Sequence, residues 1–180
     1  MKSTIILLIT TLLVLSFLTS CKKNSSVNEN SGPPTIGVRV GNIATGFTET
    51  NVQGADFTLE SLKGNVILVN FSAMWCVPCR QEASQLMALY NTYKERGFEI
   101  VQCIYQDEDG NPTDASDIGR WIQEYGITYM VVTDPDRSSV NTYNFSAIPF
   151  NIIIDRDFII RYVSEGFDID TVTTKIENLL

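Results

Sequence analysis

The stretch Val66-Ile67-Leu68-Val69-Asn70-Phe71-Ser72-Ala73-Met74-Trp75-Cys76-Val77-Pro78-Cys79-Arg80 decides the fold. Its first six residues form a nearly unbroken apolar run, the pattern of a strand buried on both faces of a sheet. Its last six open an amphipathic segment. There Ala83, Leu86, Met87, Tyr90 and Tyr93 recur at spacings of three and four, and Gly97 stands where a helix stop is expected. Cys76 and Cys79 thus fall where a strand hands over to a helix. They share one helical face, with Cys76 beside backbone N–H groups that have no partner inside the helix. That end of a helix favours a thiolate, the reactive form of cysteine. A zinc site would need a second ligand pair, but the chain has no histidine and its other cysteines are Cys21 and Cys103. Haem attachment requires histidine directly after the second cysteine, where Arg80 stands.

Working towards the C-terminus, Phe98 to Tyr105 reads as a second apolar strand, so the two strands and the helix of about twenty residues between them make a right-handed parallel crossover. Gln106 to Ser116 is acidic and turn-rich. A solvated loop fits it better than a calcium site, because Gly110 follows the acids directly and no Glu falls twelve residues after Asp107. Asp117 to Tyr125 reads as a helix presenting Ile118, Trp121, Ile122 and Tyr125, stopped by Gly126. Tyr129 to Thr133 is a strand, Ser138 to Tyr143 a short helix, and Ser146-Ala147-Ile148-Pro149 leads directly into the strand Phe150 to Ile154. Asp155 to Asp157 turns the chain into Phe158 to Val163, and Ile169, Val172, Ile176 and Leu179 line a last helix. The order from Val66 is β-α-β-α-β-α-β-β-α, a mixed sheet covered on both faces.

Working towards the N-terminus, Ile36 to Phe47 has Val38 and Val40 alternating with polar residues and reads as a short strand. The turn-prone Asn51-Val52-Gln53-Gly54 and a second strand at Phe57-Thr58-Leu59 complete a hairpin. Lys22 to Thr35 is rich in Asn, Ser, Gly and Pro, with Val27 its only large apolar residue, and reads as a flexible tether. Residues 1–20 carry Lys2 and an apolar run from Ile5 to Leu18, too short for a comfortable membrane span, the pattern of a secretion signal. Leu18-Thr19-Ser20-Cys21 resembles the lipobox of bacterial lipoproteins, which implies that Cys21 becomes the lipidated first residue of the mature protein. An ordinary signal peptide with a cysteine nearby is the alternative. The expected organisation is therefore a signal over 1–20, a lipidated cysteine and tether over 21–35, and one domain over 36–180.

Composition narrows the function classes. A chain of 180 residues with 44% apolar and 19% charged residues suits one domain plus accessories. The formal charge of −8 argues against nucleic acid or an anionic lipid surface as partner. The absence of histidine argues against serine- and cysteine-hydrolase triads, and proton transfer falls to Asp, Glu, Cys, Lys or Tyr.

From about Gly37 onward these motifs resemble the thioredoxin superfamily, and within it the membrane-tethered thiol-disulfide oxidoreductases of the TlpA and ResA type. The Cys-x-x-Cys follows a buried strand, opens a helix, and is joined by Pro149 at the start of another strand. The resemblance implies a three-layer α/β/α fold with a central mixed sheet and an N-terminal β-hairpin extension. It also implies that Cys76 is the nucleophile, Cys79 the resolving thiol, and Glu82 a carboxylate that moves protons at the cysteines. The spacing of Glu82 fits equally an exposed first-turn acid favoured by the helix dipole. The family's proline is cis and offers backbone to an extended substrate, so Trp75, Pro78, Ile148 and Pro149 are the expected substrate-binding residues. No cofactor beyond the Cys76–Cys79 disulfide and no metal is expected. The expected partners are thiols and disulfides of exported proteins and a membrane electron donor. The protein is expected to be a lipid-anchored monomer outside the cytoplasm, on the periplasmic side or at the cell surface, acting as a reductant.

Departures from the family pattern cluster near the site. Asn70 occupies the position of a buried aspartate. Ser72 replaces a Trp and is expected to open one wall of the groove or make it more polar. Ser84 replaces a proline, Phe150 replaces a Thr and is expected to alter substrate fit directly, and Phe158 replaces a hairpin glycine and implies a different turn. Cys103 is expected to be a buried, inert thiol. Two other functions compete. A peroxiredoxin-type peroxidase needs Thr or Ser three residues before its cysteine, where Ala73 stands. A copper-binding assembly lipoprotein of related fold usually adds a distant histidine, which this chain lacks.

Overall fold

Every residue of the apolar strand is buried, as a strand covered on both faces requires. The computed structural model describes residues 33–180; the expected signal segment, Cys21 and the tether up to Gly32 lie outside the described residues. The elements are β1 (Ile36–Gly37), β2 (Ile43–Ala44), β3 (Thr48–Asn51), β4 (Asp56–Thr58), β5 (Val66–Ser72), α1 (Val77–Tyr93), β6 (Phe98–Ile104), α2 (Ala115–Tyr125), β7 (Met130–Thr133), α3 (Ser138–Tyr143), β8 (Phe150–Ile154), β9 (Ile160–Glu165) and α4 (Ile169–Glu177). From β5 onward this is the expected order. Seven strands form one mixed sheet, β4-β3-β7-β6-β5-β8-β9. β5, β6 and β7 run parallel, while β8 is antiparallel to β5, β9 to β8 and β3 to β7.

This topology creates the site. The chain leaves the C-terminal end of β5 to form the cysteine turn. β8 begins beside that same end, with Phe71 paired to Phe150, so Pro149 is delivered next to the cysteines although it is seventy residues beyond Cys79. One sheet face packs Leu68, Ile100 and Ile153 against Ala83 and Leu86 of α1, Ile118 and Trp121 of α2, and Val172 and Ile176 of α4. The other packs Val69, Phe71 and Ile152 against Val140 and Tyr143 of α3 and against Ala44 and Leu59 of the N-terminal segment. Alternate side chains of each strand thus supply two cores of different cover.

Two expectations need correction. Ile36 to Phe47 is not a strand. β1 and β2 make a short parallel pair around a turn in which Gly41 has φ +91° and the Asn42 side chain accepts the Arg39 N–H at 3.1 Å, leaving Val40 exposed. The hairpin exists, but it is β3 against β4, added to the sheet edge at β7. Phe158, expected to force a different turn, keeps the left-handed backbone that suits a glycine, with φ +65°. That conformation costs roughly 1–2 kcal/mol. Burying the ring contributes about 1.5–3 kcal/mol in return; Phe158 is buried, with Lys63 Nζ 4.8 Å from its ring centre. Asp155 secures the turn by accepting the N–H groups of Asp157 and Ile159 at 3.0 and 2.9 Å.

Candidate active site

Cys76 caps the N-terminus of α1. Its backbone is extended, Pro78 sits in the first turn where no N–H is needed, and Cys76 Sγ accepts the Cys79 N–H at 3.3 Å. Backbone N–H groups and the aligned helix dipoles thus converge on this sulfur and favour its thiolate. The two cysteines form a disulfide, with Cα atoms 5.3 Å apart. They differ in access. Both side chains are buried, Cys76 at 3% and Cys79 at 0% exposure, but Cys76 lines a groove of about 560 Å³ and Cys79 does not.

The expected substrate-binding residues gather around that groove. Trp75, Pro78 and Ile148 line it, and Cys76 Sγ lies 3.9 Å from the Ile148 carbonyl oxygen. The Ile148-Pro149 peptide is cis, and Pro149 itself is buried, facing a second cavity of about 220 Å³. Trp75 is 44% exposed, and its indole N–H donates to Gln106 Oε1 at 3.1 Å, which ties the groove rim to the acidic loop. Two expectations about departures are corrected here. Ser72 is no wall of the groove. It is fully buried in β5 and its hydroxyl has no hydrogen-bond partner among the described residues. Phe150 does not touch the groove directly either: only 5% exposed, it stacks on Phe145 with ring centres 4.6 Å apart, and Phe145 is the aromatic that lines the groove.

Glu82 is not an exposed acid of the first turn. It is 2% exposed and faces the 220 Å³ cavity between Pro78, Pro149 and Phe167. Burial pushes its pKa up to about 8, partly offset by the amides of Asn151 and Asn70. Asn70 Nδ2 donates to Glu82 Oε1 at 3.0 Å, while Glu82 Oε2 is buried without a partner among the described residues.

Beneath Glu82 lies a row of amides that sequence reasoning missed. Asn70, Gln102 and Asn151 occupy register-paired positions on three neighbouring strands. Asn70 Nδ2 also donates to Asn151 Oδ1 at 3.0 Å, and Gln102 Nε2 donates to Asn70 Oδ1 at 2.9 Å. Gln102 Oε1 in turn accepts from the Trp121 indole at 2.9 Å and the Tyr129 hydroxyl at 3.3 Å. Buried amides are costly unless bonded, and here each finds partners in the row. The available signal was a single amide interrupting each of three apolar strands. Cys103 lies on the opposite face, fully buried, its thiol pKa raised well above the ordinary value chiefly by burial.

Residues 40–163 match the model of the AhpC/TSA family. Thiol-disulfide oxidoreductase ResA of Bacillus thuringiensis (strain Al Hakam) is 31% identical over 120 residues, a match covering 67% of this chain and 66% of that protein, so the chain spans just under two thirds of that relative. ResA of Geobacillus kaustophilus is 28% identical over 129 residues, covering 72% and 71% of the two chains. Among solved structures, a Chlorobium tepidum protein assigned as the thiol:disulfide interchange protein DsbE superposes with TM-score 0.70 at 22% identity, covering 79% of this chain and 98% of that one. The thioredoxin domain of a thiol-disulfide oxidoreductase from Bacteroides vulgatus superposes with TM-score 0.65 at 24% identity, covering 77% and 98%. These superpositions establish the thioredoxin-like fold.

Proposed function

The chain belongs to the AhpC/TSA family, and on that footing we propose that it is a ResA-like thiol-disulfide oxidoreductase that exchanges disulfides with exported proteins outside the cytoplasm. The observation that carries this reading is the unequal access of the two sulfurs: Cys76 borders the groove at a helix N-terminus, and Cys79 waits behind it.

In the reducing direction the Cys76 thiolate attacks a substrate disulfide, forming a mixed disulfide and releasing one substrate sulfur as a thiolate, which takes up a proton. Cys79 then loses its proton and attacks Cys76, closing the Cys76–Cys79 disulfide and releasing the second substrate thiol. The substrate gains two electrons and two protons, and the enzyme dithiol loses them. Glu82 serves as the base that takes the Cys79 proton. It lies one turn along the same helix, and a pKa of about 8 lets it exchange protons near neutral pH. The cavity of about 220 Å³ beside it gives that proton a route separate from the groove, which a bound substrate covers. Trp75, Pro78 and Ile148 hold the substrate segment, with Pro149 behind them fixing the loop. The reaction runs through the sulfurs alone, with no cofactor or metal. A membrane electron donor returns the pair to the dithiol, the protein acts as a monomer, and lipid on Cys21 tethers it to the membrane.

The test is turnover of a protein disulfide with dithiothreitol as electron donor. Reduction that requires Cys76 is expected; fast consumption of hydrogen peroxide without protein disulfide reduction would instead establish the peroxidase alternative. Alkylation in intact cells tests the direction. A pair found fully oxidised, with its regenerating system intact, would contradict the reductant reading.

A further inference from the structure

The groove beside Cys76 is apolar on most of its surface, through Trp75, Val77, Val140, Phe145 and Ile148, and carries one charged side chain, Arg137. Arg137 is held where it is. Its backbone is left-handed, with φ 60° and ψ 27°, its N–H donates to the Asp134 carbonyl at 3.1 Å, and its own carbonyl accepts the Asn141 N–H at 2.8 Å. Its guanidinium lies 5.0 Å from the ring centre of Tyr105, a second groove residue. A left-handed backbone suits Gly or Asn far better than Arg, so local structure alone gives no reason for a long cation at this point.

The charge is also out of keeping with its surroundings. The chain carries a formal charge of −8, yet among the described residues the Arg137 guanidinium, like those of Arg39, Arg80 and Arg96, forms no ion pair, and of these four arginines Arg137 is the one that lines the groove. A guanidinium lying over an aromatic ring can keep N–H donors free and is suited to receive a carboxylate in two-point fashion. Next to apolar walls such a pair is less screened than on an open surface.

We propose that Arg137 is a specificity residue of this groove, receiving a carboxylate carried by the substrate segment beside the cysteine that Cys76 attacks. The inference rests on the disulfide-exchange reading of the same groove and names the chemistry of its occupant: an extended peptide with Asp or Glu within a few residues of its reactive cysteine. An extended segment advances about 3.3 Å per residue, so a side chain within three residues of the cysteine spans the neighbourhood of the reacting sulfur.

The experiment compares kcat/KM for a set of otherwise identical peptide disulfides. Each carries Asp, Asn or Lys at one position within three residues of the cysteine, and wild-type protein is set against Arg137→Gln and Arg137→Glu. At the favoured position the wild type is expected to prefer Asp over Asn by roughly fivefold, the scale of one partly exposed ion pair, with the preference shrinking as salt is raised. Arg137→Gln is expected to bring the Asp-to-Asn ratio close to one, and Arg137→Glu to shift the preference to Lys. An Arg137 that acted only on the Cys76 thiolate would change the rates of all peptides alike and leave the ratios intact, which would overturn the inference. So would a wild type that turns over every peptide equally. Failure to reduce any peptide would instead sink the oxidoreductase reading, and the inference with it.

Discussion

Glu82 and Glu49, the two buried glutamates among the described residues, lie on opposite sides of the central sheet and are held in different ways. Glu82, on α1, takes one hydrogen bond from Asn70, leaves its second oxygen without a partner among the described residues and faces a cavity beside the cysteine turn. Glu49, on β3 beneath α3, accepts the hydroxyls of Ser139 and Ser138 at 2.5 and 3.3 Å and sits close to Asp134, which accepts the Val140 N–H at 2.9 Å. Burial raises both, Glu82 to about 8 and Glu49 to about 7, the latter helped by Asp134 and Asp136. A raised pKa therefore does not distinguish a working acid from a structural one. In the proposed mechanism placement does: the Glu82 carboxyl faces the cavity beside the cysteine turn, where it would trade a proton, whereas Glu49 joins the added hairpin to the start of α3.

The difference is open to direct challenge. The largest expected effect is on exchange: Glu82→Gln slows disulfide exchange at pH 7 by about 10²- to 10³-fold, the range of a lost acid–base group. Glu49→Gln stays within about twofold, and a comparable loss in both would erase the distinction. The next effect is on stability. Because the folded-state pKa of Glu82 lies at about 8, above the usual carboxylate value of 4.5, the native state keeps a proton that the unfolded chain has lost between those limits. Stability from this group is full below pH 4.5 and falls as pH rises to about 8, by on the order of 5 kcal/mol. Urea melts across this range should show the decline in the wild type and a flatter profile in Glu82→Gln. For Glu49 the sign is the same and the window narrower, from 4.5 to about 7, so Glu49→Gln removes a smaller part of the slope. Smallest is Asn151→Ala. Loss of an amide that lowers the Glu82 pKa should move the pH midpoint of exchange upward and slow the reaction severalfold at pH 7.

The same comparison shows what the sequence disclosed. The order of elements from Val66 was legible because apolar runs of strand length alternate with 3.6-residue periodicity, and the cysteine turn and Pro149 fall at element boundaries. The burial of Glu82 was not, because its position on the helix fits an exposed or a buried side chain equally. What decides it is the amide row, assembled from three strands whose pairing sequence periodicity does not reveal. Phe150 and Ser72 were misplaced for a related reason. Neighbouring residues of a strand point to opposite faces, so proximity to the site along the chain does not make a groove wall. Two residues that do line it, Phe145 and Arg137, come from the segments flanking α3, where no periodic pattern points to the cysteines. Phe158 followed its burial rather than its backbone preference.

The most direct measurement is capture of the exchange intermediate. Reduced Cys79→Ala and Cys76→Ala proteins are mixed with an excess of a peptide disulfide, quenched with acid, and weighed by mass spectrometry. With Cys76 at the groove and Cys79 behind it, the Cys79→Ala protein should accumulate a stable mixed disulfide on Cys76, and the Cys76→Ala protein should form little or none. Equal trapping on both, or trapping on Cys79 alone, would contradict the assignment of Cys76 as the attacking sulfur.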